Sequence, residues 1–493
     1  MTAVLAIDAG TTGVTALVVG VEGSVVARGY CEFPQHFPSP GWVEHEPEEI
    51  WQAVLAACRA AVDTSPVAPV AVGVTDQRET VVLWDRATLR SPRPAIVWQD
   101  RRTTQLCAQL RDAGHEPRVR ELTGLRLDPY FSGTKLAWLR SAEPRTWAGV
   151  TSGALAVGTV DSYVIARLTG GRVHATDASN ASRTLLFDLR AGAWSDELCD
   201  LFGVPLASLP EVRPSSGDFG RTDPASFLGL DLPIAGVAGD QQSALFGQAC
   251  FTTGSSKCTY GTGSFVLVNT GDWPVTSEAG LLTTVAWDLG DGLVYALEGA
   301  VFVTGAAVQW LRDGLGLIGT AAEVETLART VVDSDGVVFV PALTGLGAPQ
   351  WDPNARGLVI GITRGTTAAH LARATLDAIA FEVRDVVDVM VSEAGLALSE
   401  LTVDGGASAN DLLCQLQADQ LGVPVRRPRT LETTGLGAAF LAGLATGVWS
   451  STDELRETWQ LDRRFEPTAG VRAGTAYGRW QRAVDRSRDW VEA

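Results

Sequence analysis

Two short turns rich in glycine and threonine, one in each half of the chain, constrain the fold more than any other feature. The first, Asp8–Gly13, joins the apolar runs Val4–Ile7 and Ala16–Val19, and the second, Thr259–Gly263, opens into the apolar run Phe265–Val268. Glycine lets the backbone approach a ligand, and threonine hydroxyls with backbone N–H groups can bind an anion. The repeat predicts a duplicated domain that holds phosphate between its halves. Each turn alone is also compatible with an ordinary β-hairpin.

The length of 493 residues predicts two or three domains. The chain changes character after Gly247, so we expect an N-terminal domain over residues 1–247 and a C-terminal domain over 248–493. A hydrophobic fraction of 46% and a charged fraction of 19% are typical of a soluble globular protein. The net charge of -18 argues against a nucleic-acid partner.

Seven scattered cysteines form no Cys-x-x-Cys pair, which favours reduced thiols and a cytoplasmic location over disulfides or a zinc site. The first residues lack a basic segment and reach Asp8 at once, so we expect no signal peptide. The uncharged stretch Gly435–Ser451 is short for a membrane span and rich in glycine and alanine. It predicts a buried helix and no membrane association.

The carboxylate at the centre of the chain is Asp240, within the segment Gly236–Gly247. The apolar run Leu232–Ala235 leads into this segment, and a helix-like run, Ser243–Phe246, leaves it. We therefore expect a glycine-rich turn between a strand and a helix, which is where α/β sheets bind ligands. A carboxylate there could accept a proton from a substrate hydroxyl. It could equally be an N-cap that only accepts backbone N–H groups.

Further polar residues follow predicted strands. Arg78 and Glu79, after the run Ala71–Val74, could bind the hydroxyls of a polyol, or they could form a solvated surface pair. Trp98 could pack on a carbon chain or belong to the core, and the hydroxyl of Tyr130 could reach a ligand.

Three segments elsewhere are less specific. The polar loop Thr176–Arg183 is uninformative by itself. In Leu401–Asn410, a Gly-Gly pair could lie flat on a planar base and Asn410 could bind it. A tight turn with Asn410 in the first helical turn is the alternative. The stretch Gly314–Gly319 matches Gly-x-Gly-x-x-Gly but follows a helix-like segment, so it is not a dinucleotide fingerprint.

Taken together, many long stretches in one order resemble the FGGY carbohydrate kinases nearly end to end. These stretches are Pro40–His45, Gln77–Thr80, Ala95–Gln99, Asp128–Lys135, Asn180–Thr184, Gly239–Gln242, Tyr260–Gly263, Leu297–Val301, Gln309–Asp313, Gly345–Pro349 and Val403–Gly406. The resemblance implies an α/β fold of two domains, each with a ribonuclease-H-like (actin/hexokinase-type) ATPase core, and a catalytic cleft between them.

The resemblance also implies an ATP-dependent, Mg²⁺-requiring phosphorylation of a polyol, with glycerol the nearest match to its motifs. Asp240 would be the general base. The residues implied at the polyol are Arg78, Glu79, Trp98, Tyr130, Asp240, Gln241 and Phe265. Those implied at the nucleotide and its phosphates are Thr11, Thr12, Gly261, Thr262, Gly305, Gln309, Gly406 and Asn410, with Asp8 and Asp240 at the metal. A homodimer or homotetramer is compatible with the resemblance.

The chain departs from the family pattern at three places. Thr15 stands where many members carry an arginine beside the phosphates, and Asp100 stands where many carry cysteine. The loop Pro224–Asp231 lacks the Gly-Gly-Thr-Arg that binds fructose 1,6-bisphosphate in some members and the histidine that is phosphorylated in others. Two other functions therefore stay open: a kinase for another polyol or a ketose, and a catalytically silent ATP-binding sensor on an actin-like fold.

Overall fold

The structure, a computed structural model, describes residues 2–470 and 474–491. Its strands are β1 Ala3–Ala9, β2 Gly13–Gly20, β3 Val25–Glu32, β4 Glu44–His45, β5 Pro69–Asp76, β6 Val82–Asp85, β7 Ala95–Ile96, β8 Leu155–Gly158, β9 Ala175–Asp177, β10 Phe187–Asp188, β11 Ala193–Trp194, β12 Glu211–Arg213, β13 Ile234–Gly239, β14 Ser256–Tyr260, β15 Ser264–Gly271, β16 Leu282–Asp288, β17 Leu293–Val301, β18 Val338–Val340, β19 Leu358–Ile360, β20 Leu401–Asp404, β21 Val425–Pro428 and β22 Leu461–Phe465.

The helices complete the element order. They are α1 Pro47–Thr64, α2 Thr104–Asp112, α3 Glu116–Thr123, α4 Ser132–Ala142, α5 Pro144–Thr151, α6 Val160–Leu168, α7 Ala178–Ala181, α8 Asp196–Phe202, α9 Asp240–Gly247, α10 Gly305–Asp313, α11 Glu323–Ala328, α12 Ala368–Ala394, α13 Asp411–Leu421, α14 Thr433–Thr446, α15 Thr452–Thr458 and α16 Thr475–Ser487. Short 3₁₀ turns lie at Leu206–Ser208 and Gly406–Ala409.

The first half is built on a five-stranded sheet in the order β13-β5-β1-β2-β3. Strands β1, β2 and β3 pair antiparallel, whereas β5 and β13 run parallel to β1. The carboxyl ends of β1, β5 and β13 therefore meet at one edge, where open α/β sheets bind ligands. This edge carries the polar residues that follow each of the three strands.

The second half repeats this arrangement in a seven-stranded sheet, β16-β17-β15-β14-β20-β21-β22. Strands β14, β15 and β17 pair antiparallel, and β20 and β21 continue parallel to β14. The inner five strands thus match the first sheet in order and direction, and β16 and β22 extend its two edges. Both turns rich in glycine and threonine are hairpin connections, β1–β2 and β14–β15, so the predicted duplication of a ribonuclease-H-like core is confirmed.

Helices α9 and α14 lie between the two sheets and share one apolar core with both. Small residues allow close contact here: a Cβ added at Gly437 would lie 1.8 Å from the carbonyl oxygen of Ser243 in α9. One added at Gly73 in β5 would lie 2.1 Å from the carbonyl oxygen of Ala438 in α14. The buried helix expected near Gly435 is confirmed. Among the described residues, no helix is long and apolar enough to span a membrane.

The local structure around Asp240 differs from the prediction. Strand β13 continues to Gly239 and α9 begins at Asp240, so no glycine-rich turn separates them. Gly239 occupies the N-cap position and has no side chain to accept hydrogen bonds. The N-cap interpretation of Asp240 is therefore wrong. Asp240 is the first residue of α9 and directly follows the end of β13.

Candidate active site

Three parallel strands bring their polar ends together at the edge of the first sheet. In the strand register, Asp8 lies opposite Thr75 and Gly239 opposite Asp76. Gln77, which follows β5, donates its backbone N–H to the carbonyl of Ala9 at 3.0 Å. Its side-chain amide donates to the carbonyl of Gly10 at 2.9 Å. These bonds fasten the first glycine–threonine turn to the polar segment after β5.

Asp240 lies at this edge of the sheet, directly after β13, and 30% of its side chain is exposed. Its Oδ1 accepts the backbone N–H of Gln241 at 2.7 Å and lies 3.1 Å from Nε of Arg78. The two contacts fix the carboxylate in orientation and leave part of it open to a ligand. A substrate hydroxyl placed here could transfer its proton to Asp240.

Arg78 belongs to a buried cluster of four charged residues that spans both halves. Its guanidinium donates to both carboxylate oxygens of Glu298, one of them at 3.1 Å. Arg183 donates to Glu298 at 2.9 Å and to Glu79 at 2.7 Å. Burial would raise the pKa of Glu298, but Arg183 and Arg78 outweigh it and lower that pKa to about 2. The alternating charges hold Arg78 rigidly beside Asp240.

This cluster corrects two interpretations of the sequence. Arg78 and Glu79 are only 3% and 1% exposed, so the solvated surface pair is wrong. Arg183, in the loop that gave no signal from sequence, is fully buried at the centre of the cluster. The backbone of Glu79 also adopts a positive φ of 63°, which is uncommon for residues other than glycine and asparagine.

Aromatic rings form one wall beside these charges. The indole N–H of Trp98 donates to the hydroxyl of Thr11 at 2.9 Å, and the rings of Trp98 and Tyr130 meet edge to face at 5.4 Å. The hydroxyl of Tyr130 accepts from Arg78 at 3.4 Å. The ring of Phe265 lies 5.9 Å from the guanidinium carbon of Arg78. Rings next to fixed charges suit a small molecule with a carbon chain and several hydroxyls.

The second turn is joined to α10 by backbone hydrogen bonds. Gly261 and Thr262 are exposed, as is Thr12 in the first turn. Gly305, the first residue of α10, donates its N–H to the carbonyl of Gly261 at 3.0 Å. A Cβ at Gly305 would lie 2.7 Å from that carbonyl, so only glycine fits there without movement. Gln309 lies one turn further along α10 and is exposed.

Asn410 and Gly406 lie after β20, at the start of α13. The Asn410 side-chain oxygen accepts the N–H of Leu413 at 2.9 Å, so Asn410 is the N-cap of α13. The alternative that placed Asn410 at the helix start therefore accounts for its side-chain oxygen. Among the described residues, its side-chain NH₂ has no acceptor. Gly406 is exposed and begins a 3₁₀ turn. Their contact with a nucleotide stays a prediction.

Asp8 is the acidic residue of the first turn. Burial, with smaller effects from Asp240 and Glu432, raises the pKa of Asp8 to about 8. Within residues 2–470 and 474–491 its carboxylate has neither a hydrogen-bond donor nor a cation. The same ranges contain no group of three or more histidine, cysteine, aspartate or glutamate side chains arranged for a metal. Two carboxylates fit Mg²⁺ that also takes water and phosphate oxygens, so Asp8 and Asp240 suit this role, which stays a prediction.

A buried lysine that contacts Gln241 was not identified from the sequence. Lys257 in β14 is fully buried and donates to the side-chain oxygen of Gln241 at 2.5 Å and to the hydroxyl of Thr259 at 2.8 Å. Two features of the sequence could have identified this residue. The chain contains only two lysines, and this one lies in a mostly apolar strand next to a predicted turn. The contact with Lys257 also explains why Gln241 is only 7% exposed.

The structure also places two of the departures from the family pattern. Thr15 pairs across the first sheet with Asp8 on one side and Tyr30 on the other, so it lies beside the first turn. Asp100 is buried, accepts the backbone N–H of Val43 at 2.6 Å and pairs with Arg102 at 2.7 Å. Asp100 therefore supports the loop behind Trp98, whereas Thr15 faces the candidate phosphate site.

Comparison with known proteins finds relatives that match over nearly the whole chain. The chain is 54% identical to the glycerol kinase of Dechloromonas aromatica (strain RCB), covering 99% of this chain and 98% of that protein. It is also 54% identical to the glycerol kinase of Symbiobacterium thermophilum, covering 99% of both. The crystal structure of Plasmodium falciparum glycerol kinase with ADP superposes with a TM-score of 0.91 at 33% identity, over 100% of this chain and 99% of that one.

A more distant structure shares the fold alone. Gluconate kinase from Lactobacillus acidophilus has a TM-score of 0.87 at 22% identity, over 99% of this chain and 96% of that one. Residues 3–247 match the N-terminal domain of the FGGY family of carbohydrate kinases, and residues 256–446 match its C-terminal domain. The chain belongs to the FGGY family of carbohydrate kinases.

Proposed function

We propose that the protein transfers the terminal phosphoryl group of ATP to glycerol and releases sn-glycerol 3-phosphate and ADP. The single observation that carries this proposal is the partly exposed carboxylate of Asp240, held 3.1 Å from Arg78, whose guanidinium also binds Glu298 of the second half. Full-length relatives at 54% identity are glycerol kinases, which supports glycerol as the acceptor. The Plasmodium falciparum glycerol kinase, which superposes on the whole chain, was crystallised with ADP, and this supports ATP as the donor.

In this proposal, the charged cluster and the aromatic wall bind the three-carbon acceptor. Arg78 and Glu79 bind its hydroxyls together with Tyr130 and Gln241, while Trp98 and Phe265 pack on its carbons. As the hydroxyl oxygen bonds to the γ-phosphorus, its proton passes to Asp240. The bond between that phosphorus and the bridging oxygen breaks, and the electron pair stays on ADP. Positioning and charge stabilisation supply most of the catalysis in such a transfer.

The two glycine–threonine turns bind the triphosphate from opposite sides in the same proposal. Thr11 and Thr12 contribute from the first turn, and Gly261 and Thr262 from the second. Gly305 and Gln309 on α10, with Gly406 and Asn410 before α13, bind the nucleoside. Asp8 and Asp240 hold Mg²⁺, which neutralises phosphate charge when it is bound.

Domain limits, assembly and location belong to the same proposal. We place the boundary at Gly247, with polyol binding in residues 1–247 and nucleotide binding in 248–493, although α14 packs on the first sheet. Seven free cysteine thiols support a reducing, cytoplasmic setting. A homodimer or homotetramer is a prediction that light scattering of the purified protein can test.

The decisive experiment measures ADP release by purified protein with MgATP and a panel of C3 to C5 polyols and ketoses. We expect glycerol to give the highest kcat/KM and the rate without acceptor to be low. A higher kcat/KM for a longer polyol or a ketose would replace glycerol as the substrate. Binding of ATP without turnover on any acceptor would favour the silent sensor and contradict the proposal.

A further inference from the structure

The two lysines of this chain are both fully buried, and they differ in what they bind. Lys135 directs its ammonium at three backbone carbonyls, those of Pro129, Tyr130 and Phe131, at 2.6, 2.5 and 3.4 Å. All three of its N–H groups thus have a backbone acceptor, so Lys135 has a structural role. Lys257 has two acceptors, and both are side chains. In the described part of the chain, its third N–H has none.

The two acceptors of Lys257 lie on either side of the proposed reaction. Gln241 adjoins the base Asp240 at the start of α9, and its oxygen is 2.5 Å from the ammonium. Thr259 lies two residues before Gly261, in the strand that leads into the second turn, and its hydroxyl is 2.8 Å away. The ammonium therefore links the start of α9, which carries the proposed base, to the strand that leads into the proposed phosphate-binding turn.

No carboxylate compensates this charge directly. No ion pair to Lys257 occurs among the described residues, and the nearest candidates bind other groups. Asp404 accepts from Gln248 and Thr433, both at 2.7 Å, and Glu298 is bound by Arg78 and Arg183. Burial lowers the pKa of Lys257, while Asp404, Asp240 and Glu298 favour its charged form from a distance. Burying an ammonium group that has an unused N–H donor lowers the stability of the protein unless an anion accepts that hydrogen bond.

The duplication shows that the sheet itself does not need a lysine at this place. Gly10 and Gly261 open equivalent turns, which makes Ala6 in β1 the counterpart of Lys257 in β14. In each hairpin the residue pairs with a leucine, Ala6 with Leu17 and Lys257 with Leu267. Both side chains face the region between the sheets. The first half therefore fills the position with a methyl group, and the second half fills it with a cation.

We propose that the ammonium of Lys257 donates its free N–H to the phosphoryl group while that group moves from ADP to the acceptor oxygen. This inference rests on the proposed function. In the step, the acceptor oxygen–phosphorus bond forms, the bond to the bridging oxygen of ADP breaks, and Asp240 takes the hydroxyl proton. Lys257 keeps its own protons and stabilises negative charge on the equatorial oxygens. It supplies a cation in a site where Thr15 replaces the arginine of many family members.

The test compares Lys257→Met, which keeps length without charge, with Lys257→Arg, which keeps charge. Provided that the wild-type protein is active, we expect kcat of Lys257→Met to be about a hundredfold lower than that of the wild type. The KM values for ATP and glycerol should change less than threefold. A second readout needs no turnover: the affinity for MgADP with aluminium fluoride and glycerol should fall by a similar factor. The affinity for MgADP alone should stay the same. Lys257→Arg should recover part of both losses.

Lys135→Met is the matched control for removing a buried lysine. It should lower the free energy of unfolding but leave the ratio of the MgADP affinity to the aluminium-fluoride complex affinity unchanged. In Lys257→Ala, added methylammonium should restore part of kcat, and it should have no such effect on Lys135→Ala. Equal loss of affinity for MgADP and for the aluminium-fluoride complex, or an unchanged kcat in Lys257→Met, would overturn the inference. Wild-type protein without glycerol-dependent ADP release would instead overturn the proposed function.

Discussion

The hairpin β1–β2 and the hairpin β14–β15 have the same strand arrangement but carry different ionisable groups, Asp8 in the first and Lys257 in the second. Gly10 and Gly261 open the two turns, so Asp8 in the first hairpin corresponds to Thr259 in the second. The acid lies on the neighbouring strand in the second half, because Thr259 pairs with Asp404 whereas Asp8 pairs with Thr75. In the described part of the chain, one duplicated scaffold thus carries a carboxyl group without a hydrogen-bond donor in the first half, and a hydroxyl bound to a buried ammonium in the second.

A second pair of equivalent positions makes the same point. Leu17 pairs with Arg28 in the first sheet, and Leu267 pairs with Glu298 in the second. Arg28 forms a half-exposed ion pair with Glu432 at 3.1 Å. Glu298 is fully buried between two arginines. Burial, rather than fold position, decides what a charge at this place does. The exposed pair adds little stability, whereas the buried Glu298 fixes the position of Arg78.

The largest effect is expected at Asp240, the proposed base, which belongs to neither hairpin. Asp240→Asn keeps the shape of the side chain but cannot accept the hydroxyl proton, so kcat should fall by about a thousandfold. Both hairpins stay intact, so the variant should still bind MgADP and glycerol in calorimetric titrations. Full activity in Asp240→Asn would remove the carboxylate from the mechanism.

The equivalent charges Glu298 and Arg28 give the next largest difference. Glu298→Gln leaves Arg78 and Arg183 each short of a carboxylate, so the free energy of unfolding should fall by about 3 kcal/mol. Arg28→Gln breaks a half-exposed pair and should cost less than about 1 kcal/mol. Urea unfolding of the three proteins measures both values. If both variants lost the same free energy of unfolding, burial of Glu298 would not make its ion pairs more important than the exposed pair of Arg28.

The sequence predicted those parts of the site that local patterns encode. Gly-Thr turns, polar residues after apolar strands and the carboxylate at Asp240 all depend on neighbours in the chain, so their positions could be predicted. Arg183 and Glu298 could not, because their role comes from contacts between segments more than a hundred residues apart. A charge within an apolar strand, as at Glu298 in β17, is the one local sign that such a partner exists.

Local patterns were also misleading where tertiary contacts decide the outcome. The glycines before Asp240 suggested a turn, but they continue β13 because α14 packs on the strand: a Cβ at Gly236 would lie 2.3 Å from the backbone nitrogen of Ala442. The polar pair Arg78–Glu79 suggested a surface because exposed pairs are common. Its burial depends on Glu298 and Arg183, which the sequence could not place beside it.

Replacing Asp8 should have opposite effects on two properties. It should favour the stability of the ligand-free protein at high pH, and it should weaken the use of Mg²⁺ during turnover. Because the Asp8 pKa of about 8 exceeds the ordinary 3.8, the unfolded chain binds fewer protons between these pH values. The stability of the ligand-free protein should therefore fall as the pH rises through that window. Asp8→Asn should flatten this fall, so that the variant gains on the wild type more at pH 8 than at pH 5 in urea unfolding.

The same Asp8→Asn variant should need about tenfold to a hundredfold more Mg²⁺ for half-maximal activity. Asp404→Asn is the matched control in the second half, because Asp404 is already bound by Gln248 and Thr433. It should lower stability without the pH dependence and leave the Mg²⁺ requirement nearly unchanged. If both variants raised the Mg²⁺ concentration for half-maximal activity by a similar factor, Asp8 would have no specific role in binding the metal.

The smallest effect is expected from restoring the arginine that the first hairpin lacks. Thr15 lies between Asp8 and Tyr30 on the face toward the second sheet and is partly exposed. Thr15→Arg places a cation beside Asp8, so the affinity for ADP should rise by about tenfold or less, as a charge-assisted hydrogen bond provides. Thr15→Met controls for size and should not raise it. If Thr15→Arg also restores turnover in the Lys257→Met background, the two hairpins can exchange the cation, and its place in the cleft matters less than its charge. If it raises ADP affinity but leaves that background slow, the cation has to stand between Gln241 and Thr259, where only the second hairpin provides it.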